Sequence, residues 1–152
     1  MIEAHRQKVC TFRIGPHHLG MDVESMREVL EHWVMTPVPL TPSCVLGVIN
    51  LRGQIMMAID LRRRLGLLEP AQAPQVCLVV HTVDELVAFV VDDVGEVITV
   101  SEDQLEDPPE TLEADSRDII HGVYKLPSQI ILLLDVVRAA DPGIKGTAQS
   151  PG

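Results

Sequence analysis

The residues of this chain that could do chemistry are its histidines, cysteines and carboxylates, and their spacing assembles no familiar reactive site. His17 and His18 are adjacent beside Gly15-Pro16, a turn sequence, and neighbours on a strand face opposite ways. His5, His32, His81 and His121 are isolated, and no two share the spacing of metal ligands. Cys10, Cys44 and Cys77 are single, far apart and set among apolar neighbours, which reads as reduced, buried thiols. No Gly-x-Ser-x-Gly elbow or Gly-rich phosphate loop occurs, and residues 13–20 hold two glycines without the required spacing. Asp92-Asp93 and the carboxylates of residues 101–118 lack the alternating Asp/Asn and central Gly of a calcium loop, so they read as a solvated acidic surface. Asp60 and Asp135 resemble a catalytic pair, but each opens a short helical segment, where N-capping accounts for it. The sequence therefore predicts no catalytic residue, no metal and no cofactor.

Arg52 is the exception. It is bracketed by Leu51 and Gly53 within a long apolar stretch, where a guanidinium needs a carboxylate. Glu28 and Glu31 are the nearest acids upstream, and Glu28 is preferred because Val29 and Leu30 make its surroundings partly apolar.

The elements that must position these residues are mostly strands. Residues 8–14 form a β run punctuated by Gly15 and Pro16. Residues 24–33 place Met26, Val29, Leu30 and Trp33 at helical spacing, which predicts one short helix. Pro37, Pro39 and Pro42 then exclude a long helix or a central strand. Residues 47–61 predict a hairpin turning at Arg52-Gly53, and residues 60–65 a brief helix stopped by Gly66. Residues 76–81 and 86–91 predict another hairpin, and residues 94–100 a further strand. Residues 101–118 read as a surface loop with a helical turn. Residues 122–134 predict a hairpin and residues 135–140 a short helix. Within these strands Leu51, Ile55, Ile59, Val79, Phe89, Val91, Ile131 and Leu133 are expected to be largely buried. Residues 1–7 and 141–152 read as a loose start and a disordered tail.

An internal repeat is the most informative pattern. Residues 47–65 lie over residues 122–140 without a gap, and seven of the nineteen positions are identical: Gly47/Gly122, Val48/Val123, Leu51/Leu126, Gln54/Gln129, Ile55/Ile130, Asp60/Asp135 and Arg63/Arg138. A fainter echo sets Val23, Met26, Glu28 and Val29 against Val91, Val94, Glu96 and Val97, and Cys10 against Cys77. Two copies of one small unit, packed together, would bury a core that neither could support alone. Positions that match between copies serve folding. Positions that differ while remaining distinctive are candidates for function, and Arg52-Gly53 becomes Pro127-Ser128.

Charge narrows the partners. The net charge is −10 at pH 7, concentrated in the second half, so nucleic acid and anionic lipid are not attracted in general. Arg62, Arg63 and Arg64 form the one basic run and are too few to reverse that. The polar N-terminus shows no secretory signal, and no apolar run reaches the ~20 residues of a membrane span. A cytoplasmic protein without direct membrane insertion is expected.

The segment GVINLRGQIMMAIDLRRRLG (residues 47–66) resembles the signature of CheW-like domains, the coupling proteins of bacterial chemotaxis arrays. The resemblance extends through Met26-Arg27-Glu28-Val29, the run Thr36-Pro37-Val38-Pro39, residues 90–98 and the block 122–135, covering about residues 8–140. It implies a mainly β fold: two SH3-like five-stranded barrels sharing a hydrophobic core, with short helices. It places residues 8–16 and 76–140 in one subdomain and residues 17–75 in the other. It implies a non-enzymatic adaptor that couples the cytoplasmic tip of a chemoreceptor to the regulatory domain of a CheA-type histidine kinase, recruited to receptor arrays at the inner membrane. A scaffold of another histidine-kinase pathway, such as pilus motility, is the alternative. The partner-binding residues it implies are Met26, Glu28, Val38, Asn50, Leu51, Arg52 and Gly53.

Overall fold

The computed structural model describes residues 6–67, 71 and 75–142. Of the expected loose start at 1–7 and tail at 141–152, residues 1–5 and 143–152 lie outside the described residues, whereas Arg6 and Gln7 already belong to the first strand. The strands are β1 (Arg6–Ile14), β2 (His17–Asp22), β3 (Met26–Leu30), β4 (Met35–Thr36), β5 (Val45–Leu51), β6 (Gln54–Asp60), β7 (Val76–His81), β8 (Leu86–Val91), β9 (Asp93–Ser101), β10 (Leu105–Glu106), β11 (Ile120–Lys125) and β12 (Ile130–Leu134). Among the described residues three short α-helices accompany them: α1 (Leu61–Arg64), α2 (Ala114–Ile119) and α3 (Val136–Ala139).

Among the described residues the strands form two sheets, ordered β10-β11-β12-β2-β1-β9 and β4-β5-β6-β8-β7-β3. In each, the two end strands are consecutive in the chain. Residues 31–34 alone separate β3 from β4, and one 3-10 turn (Glu102–Gln104) separates β9 from β10. Each end pair is therefore one bent strand that carries the sheet back towards its other edge, which gives five-stranded barrels. We call the first sheet barrel A and the second barrel B.

The two orders correspond strand for strand. Leu132 pairs with Leu19 and Leu133 with Gly20 in the parallel pairing of β12 with β2. Met57 pairs with Val87 and Ala58 with Ala88 in the parallel pairing of β6 with β8. The hairpin β1–β2 thus completes barrel A, built otherwise from the second half of the chain, while β7–β8 completes barrel B, built otherwise from the first. The two repeats exchange hairpins. This corrects the expected division at residues 16/17 and 75/76. The tight Gly15-Pro16 turn keeps β2 beside β1, with Ile14 opposite His17, and β8 lies along β6. His17 and His18 accordingly open a strand rather than sit in the turn.

The burial pattern follows from the exchange. Successive strand residues point to opposite faces, so each exchanged strand serves two cores. Cys10, Phe12, Leu19, Met21, Leu78, Val80, Val87 and Phe89 enter a large core shared by both barrels. Val9, Tyr124, Ile131 and Leu133 fill the interior of barrel A. Cys77, Val79, Ile49, Met56 and Ala58 fill that of barrel B. The predicted equivalence of Cys10 and Cys77 is therefore one residue off. The pairings set Cys10 opposite Met21 and Leu78 opposite Phe89, so Cys10 corresponds to Leu78 and Cys77 to Val9.

Three of the seven positions identical between the repeats have a physical cause on view. Asp60 caps α1 by accepting from the Arg62 N–H at 3.0 Å, and Asp135 caps α3 by accepting from the Arg138 N–H at 3.1 Å. The Arg63 side chain donates to the Ser43 carbonyl at 2.9 Å, and that of Arg138 donates to the matching Asp118 carbonyl at 2.7 Å. A Cβ on Gly47 would collide with the Thr36 backbone, and one on Gly122 would lie 2.8 Å from the Glu106 carbonyl. In both barrels the short edge strand passes where a side chain would be.

Two local expectations fail. Residues 26–30 are a strand, not a helix. A bulge between Met26 and Glu28 shifts the strand's phase, so Met26 meets the shared core while Leu30 and Trp33 meet the interior of barrel B. That shift imitates helical spacing. Ile55, expected inside with Leu51, Ile59, Val79, Phe89, Val91, Ile131 and Leu133, is 65% exposed, and Leu51 is half-buried. Ile59, Met57 and Ile55 share one face of β6, and burial fades along it towards the hairpin tip.

Candidate functional site

The sequence candidates centre on the β5–β6 tip. Arg52 and Gly53 both take positive φ, 51° and 85°, the combination of a two-residue turn whose twist matches the flanking strands. Gly53 does this without strain, and its backbone N–H donates to the Asn50 Oδ1 at 3.1 Å. Arginine in the left-handed region costs roughly 1–2 kcal/mol. The turn does not demand it, because the other repeat turns at Pro127-Ser128, closed by Leu126 and Gln129 bonding each other.

The Arg52 guanidinium donates to the Glu28 carboxylate. Glu28 sits on β3, the far end of the barrel B strand order, so the pair ties the hairpin tip across the mouth of the barrel. The Arg52 side chain is 70% exposed and that of Glu28 34%. An ion pair this wet contributes at most about 1 kcal/mol, and its remaining guanidinium donors face outward. The chemistry on offer is recognition of hydrogen-bond acceptors.

Of the other candidates, Met26 is half-buried against the shared core and Leu51 packs against the barrel B interior. They serve different cores rather than one wall. Val38 lies on the proline-rich loop between β4 and β5, where its carbonyl accepts the Thr41 hydroxyl at 3.2 Å. The loop also exposes Leu40, which has φ 60°. Ile55, opposite Asn50 in the hairpin register, puts an exposed aliphatic beside the tip. Sequence reasoning missed both, since an apolar residue beside a turn reads as core.

Arg62 and Arg64 are buried. Arg62 donates to Asp92 Oδ2, which also accepts from the Gly15 N–H at 2.7 Å. Asp92 is the single residue between β8 and β9, where the chain crosses from barrel B to barrel A. One carboxylate therefore fastens α1 to the β1–β2 turn at that crossing. Arg64 donates to the Arg138 carbonyl at 3.0 Å, at the end of α3. The signal for Arg62 was available: its counterpart in the repeat is Val137.

The thiols are chemically quiet. Burial raises Cys10 and Cys44 above the ordinary thiol range and pushes Cys77 up to about 12, leaving negligible thiolate at neutral pH. No helix among the described residues is long and apolar enough to cross a membrane.

Comparison with known proteins places this geometry. The sequence profile of the family described as CheW-like domain matches residues 8–141. The chemotaxis protein CheW of Thermotoga maritima is 33% identical over 129 residues, 85% of this chain and 84% of the relative. That of Rhizobium meliloti is 30% identical over 132 residues, 86% of this chain and 84% of the relative. The crystal structure of the scaffolding protein TtCheW from Thermoanaerobacter tengcongensis superposes with a TM-score of 0.77 at 28% identity, covering 86% of this chain and 89% of that one.

Proposed function

Since the chain belongs to the CheW-like domain family, we propose that it is a non-catalytic adaptor coupling chemoreceptors to a CheA-type histidine kinase in bacterial chemotaxis. It works in the cytoplasm and is recruited to receptor arrays at the inner membrane. Its partners are the cytoplasmic receptor tip and the kinase regulatory domain. The relatives named above are chemotaxis proteins, which favours this reading over service in another histidine-kinase pathway.

The observation that carries the site assignment is Arg52, held in a costly backbone conformation that its own turn does not need and tied to Glu28 at the rim of barrel B. Asn50, Leu51, Gly53 and Met26 shape that rim, and Val38 extends it. Strained conformations persist where surroundings hold them for a purpose, and arginine flanked by apolar contacts is a common binding hot spot. Ile55 supplies such a contact.

The test is Arg52→Ala, with binding and melting measured side by side. We expect the melting midpoint to stay within a few degrees, since 1 kcal/mol moves a domain of this size by about 2–4 °C. Binding to receptor tip or kinase domain should weaken by about 1 kcal/mol or more. Glu28→Ala should behave alike. A variant that binds both partners normally, or one that unfolds, refutes the assignment.

A further inference from the structure

The hairpin exchange creates two crossings related by the repeat, and they are finished differently. At the first, the β1–β2 turn meets the end of α1. The Arg62 guanidinium rests on Asp92, and the position a Cβ would take on Gly15 lies 3.6 Å from the Arg62 side chain and 3.8 Å from that of Leu67. A guanidinium and an aliphatic side chain fill the gap.

At the second, the β7–β8 turn meets the end of α3. Val137 stands in place of Arg62, Pro142 in place of Leu67, Val83 in place of Gly15 and Glu24 in place of Asp92. Here a cleft of about 370 Å³ remains, lined by Met57, Thr82, Glu85, Val137, Ala140 and Pro142, with Asp141 beside them. Val137 is 60% exposed and Val83 at the turn 92%. The Thr82 N–H donates to the Glu85 carbonyl at 2.8 Å, holding the turn closed. The Glu85 carboxylate enters no ion pair among the described residues. Arg64 reaches this crossing from α1, but its guanidinium is spent on the Arg138 and Asp141 carbonyls at 3.0 and 3.2 Å; no arginine stands in the place of Arg62 to meet the Glu85 carboxylate and the apolar wall.

We propose that this cleft is a docking site for a partner segment that presents a guanidinium beside an aliphatic side chain, the pair that the chain supplies to itself at the other crossing. The carboxylate of Glu85 takes the cation, and Val137, Met57 and Ala140 take the aliphatic group. Negative charge concentrated in the second half of the chain draws such a segment in. The surface is separate from the Arg52 rim, so the two are testable independently.

The probe is a blocked synthetic peptide of this chain's own plug, Leu-Arg-Arg-Arg-Leu-Gly-Leu, titrated into isotope-labelled full-length protein at about 150 mM salt, near physiological ionic strength. Saturable amide shifts confined to residues 82–85 and 137–142 are expected. Glu85→Lys should weaken binding at least tenfold. Val137→Arg, which supplies the guanidinium from within, should do the same while melting no lower than the parent. Arg52→Ala should bind the peptide unchanged. No saturable binding, shifts centred on residues 101–118, or equal affinity in Glu85→Lys and Val137→Arg would overturn the proposal. So would binding that appears only after residues 143–152 are removed, which would assign the cleft to the chain's own end.

Discussion

Barrel A and barrel B share strand order, parallel register, helix caps and the arginine that braces each cap, and two of their differences are instructive. Barrel B carries a charged, strained hairpin tip where barrel A has Pro127-Ser128. The crossing beside α1 is fastened by Asp92 and Arg62, whereas the one beside α3 is open. The comparison separates two kinds of constraint within one molecule. What both copies keep is what a barrel needs to close. What one copy alone has is not needed for closure, so its cause lies elsewhere: in holding the barrels together for Arg62 and Asp92, and in meeting partners for Arg52.

The largest test of that division lies in the shared core. Phe89→Ala should cost about 3–5 kcal/mol and lower a single unfolding transition followed by calorimetry or urea. Two resolved transitions would break the comparison, because they would mean that the barrels stand independently despite exchanged hairpins. Next is the fastened crossing. Asp92→Ala leaves Arg62 buried without its carboxylate and should cost about 3 kcal/mol. Arg62→Val, which copies the other repeat, should cost less, since Asp92 Oδ2 keeps the Gly15 N–H and Asp92 can take up a proton. Equal losses in urea titrations would show that the guanidinium, not the carboxylate, is the hub.

Alkaline pH probes the buried thiols. Cys77 is raised to about 12 and Cys10 and Cys44 are raised by burial, so the folded state holds the neutral thiol more firmly than the unfolded chain does. Their contribution is complete below the unfolded value near 9 and declines as pH climbs from there towards 12. The urea midpoint should therefore fall between pH 9 and 11; a midpoint that rises there contradicts burial of these groups. Smallest is Arg52→Asn. Asparagine relieves part of the left-handed turn strain but forfeits the Glu28 pair, and the two opposed terms, each about 1 kcal/mol, largely offset. The melting midpoint should move by no more than about 2 °C. A drop of ten degrees would make the tip a folding element after all.

Much of the fold was legible because hairpins announce themselves by alternation and by turn residues, and because the repeat fixed which segments correspond. The exchange was only half legible. Pairing of β1 with the second half was expected, but the destination of β2 and of β7–β8 depends on contacts between strands far apart in sequence. Cys10 and Cys77 misled because identical residues one register apart point to opposite faces. Residues 26–30 misled because a bulge converts alternation into something like a helical period. At the site, the Glu28–Arg52 pair was readable from an arginine without a local role. The Arg62–Asp92 pair was not, since nothing in either segment names a partner thirty residues away on another barrel.

The exchanged hairpins also govern how the chain is born. β1 lies between β2 and β9, with Val9 opposite Ile98, and β2 waits for Leu132. At synthesis rates of 5–20 residues per second, the first hairpin leaves the ribosome on the order of ten seconds before its barrel can close. Barrel B also cannot close until β7 and β8 emerge, so no closed barrel forms before Val91 has been made. During that interval the apolar faces of β1 and β2 are open to any other nascent strand. Long-range pairing of this kind folds slowly, and the protein's yield in a cell should respond to the supply of chaperones that shield unpaired edges.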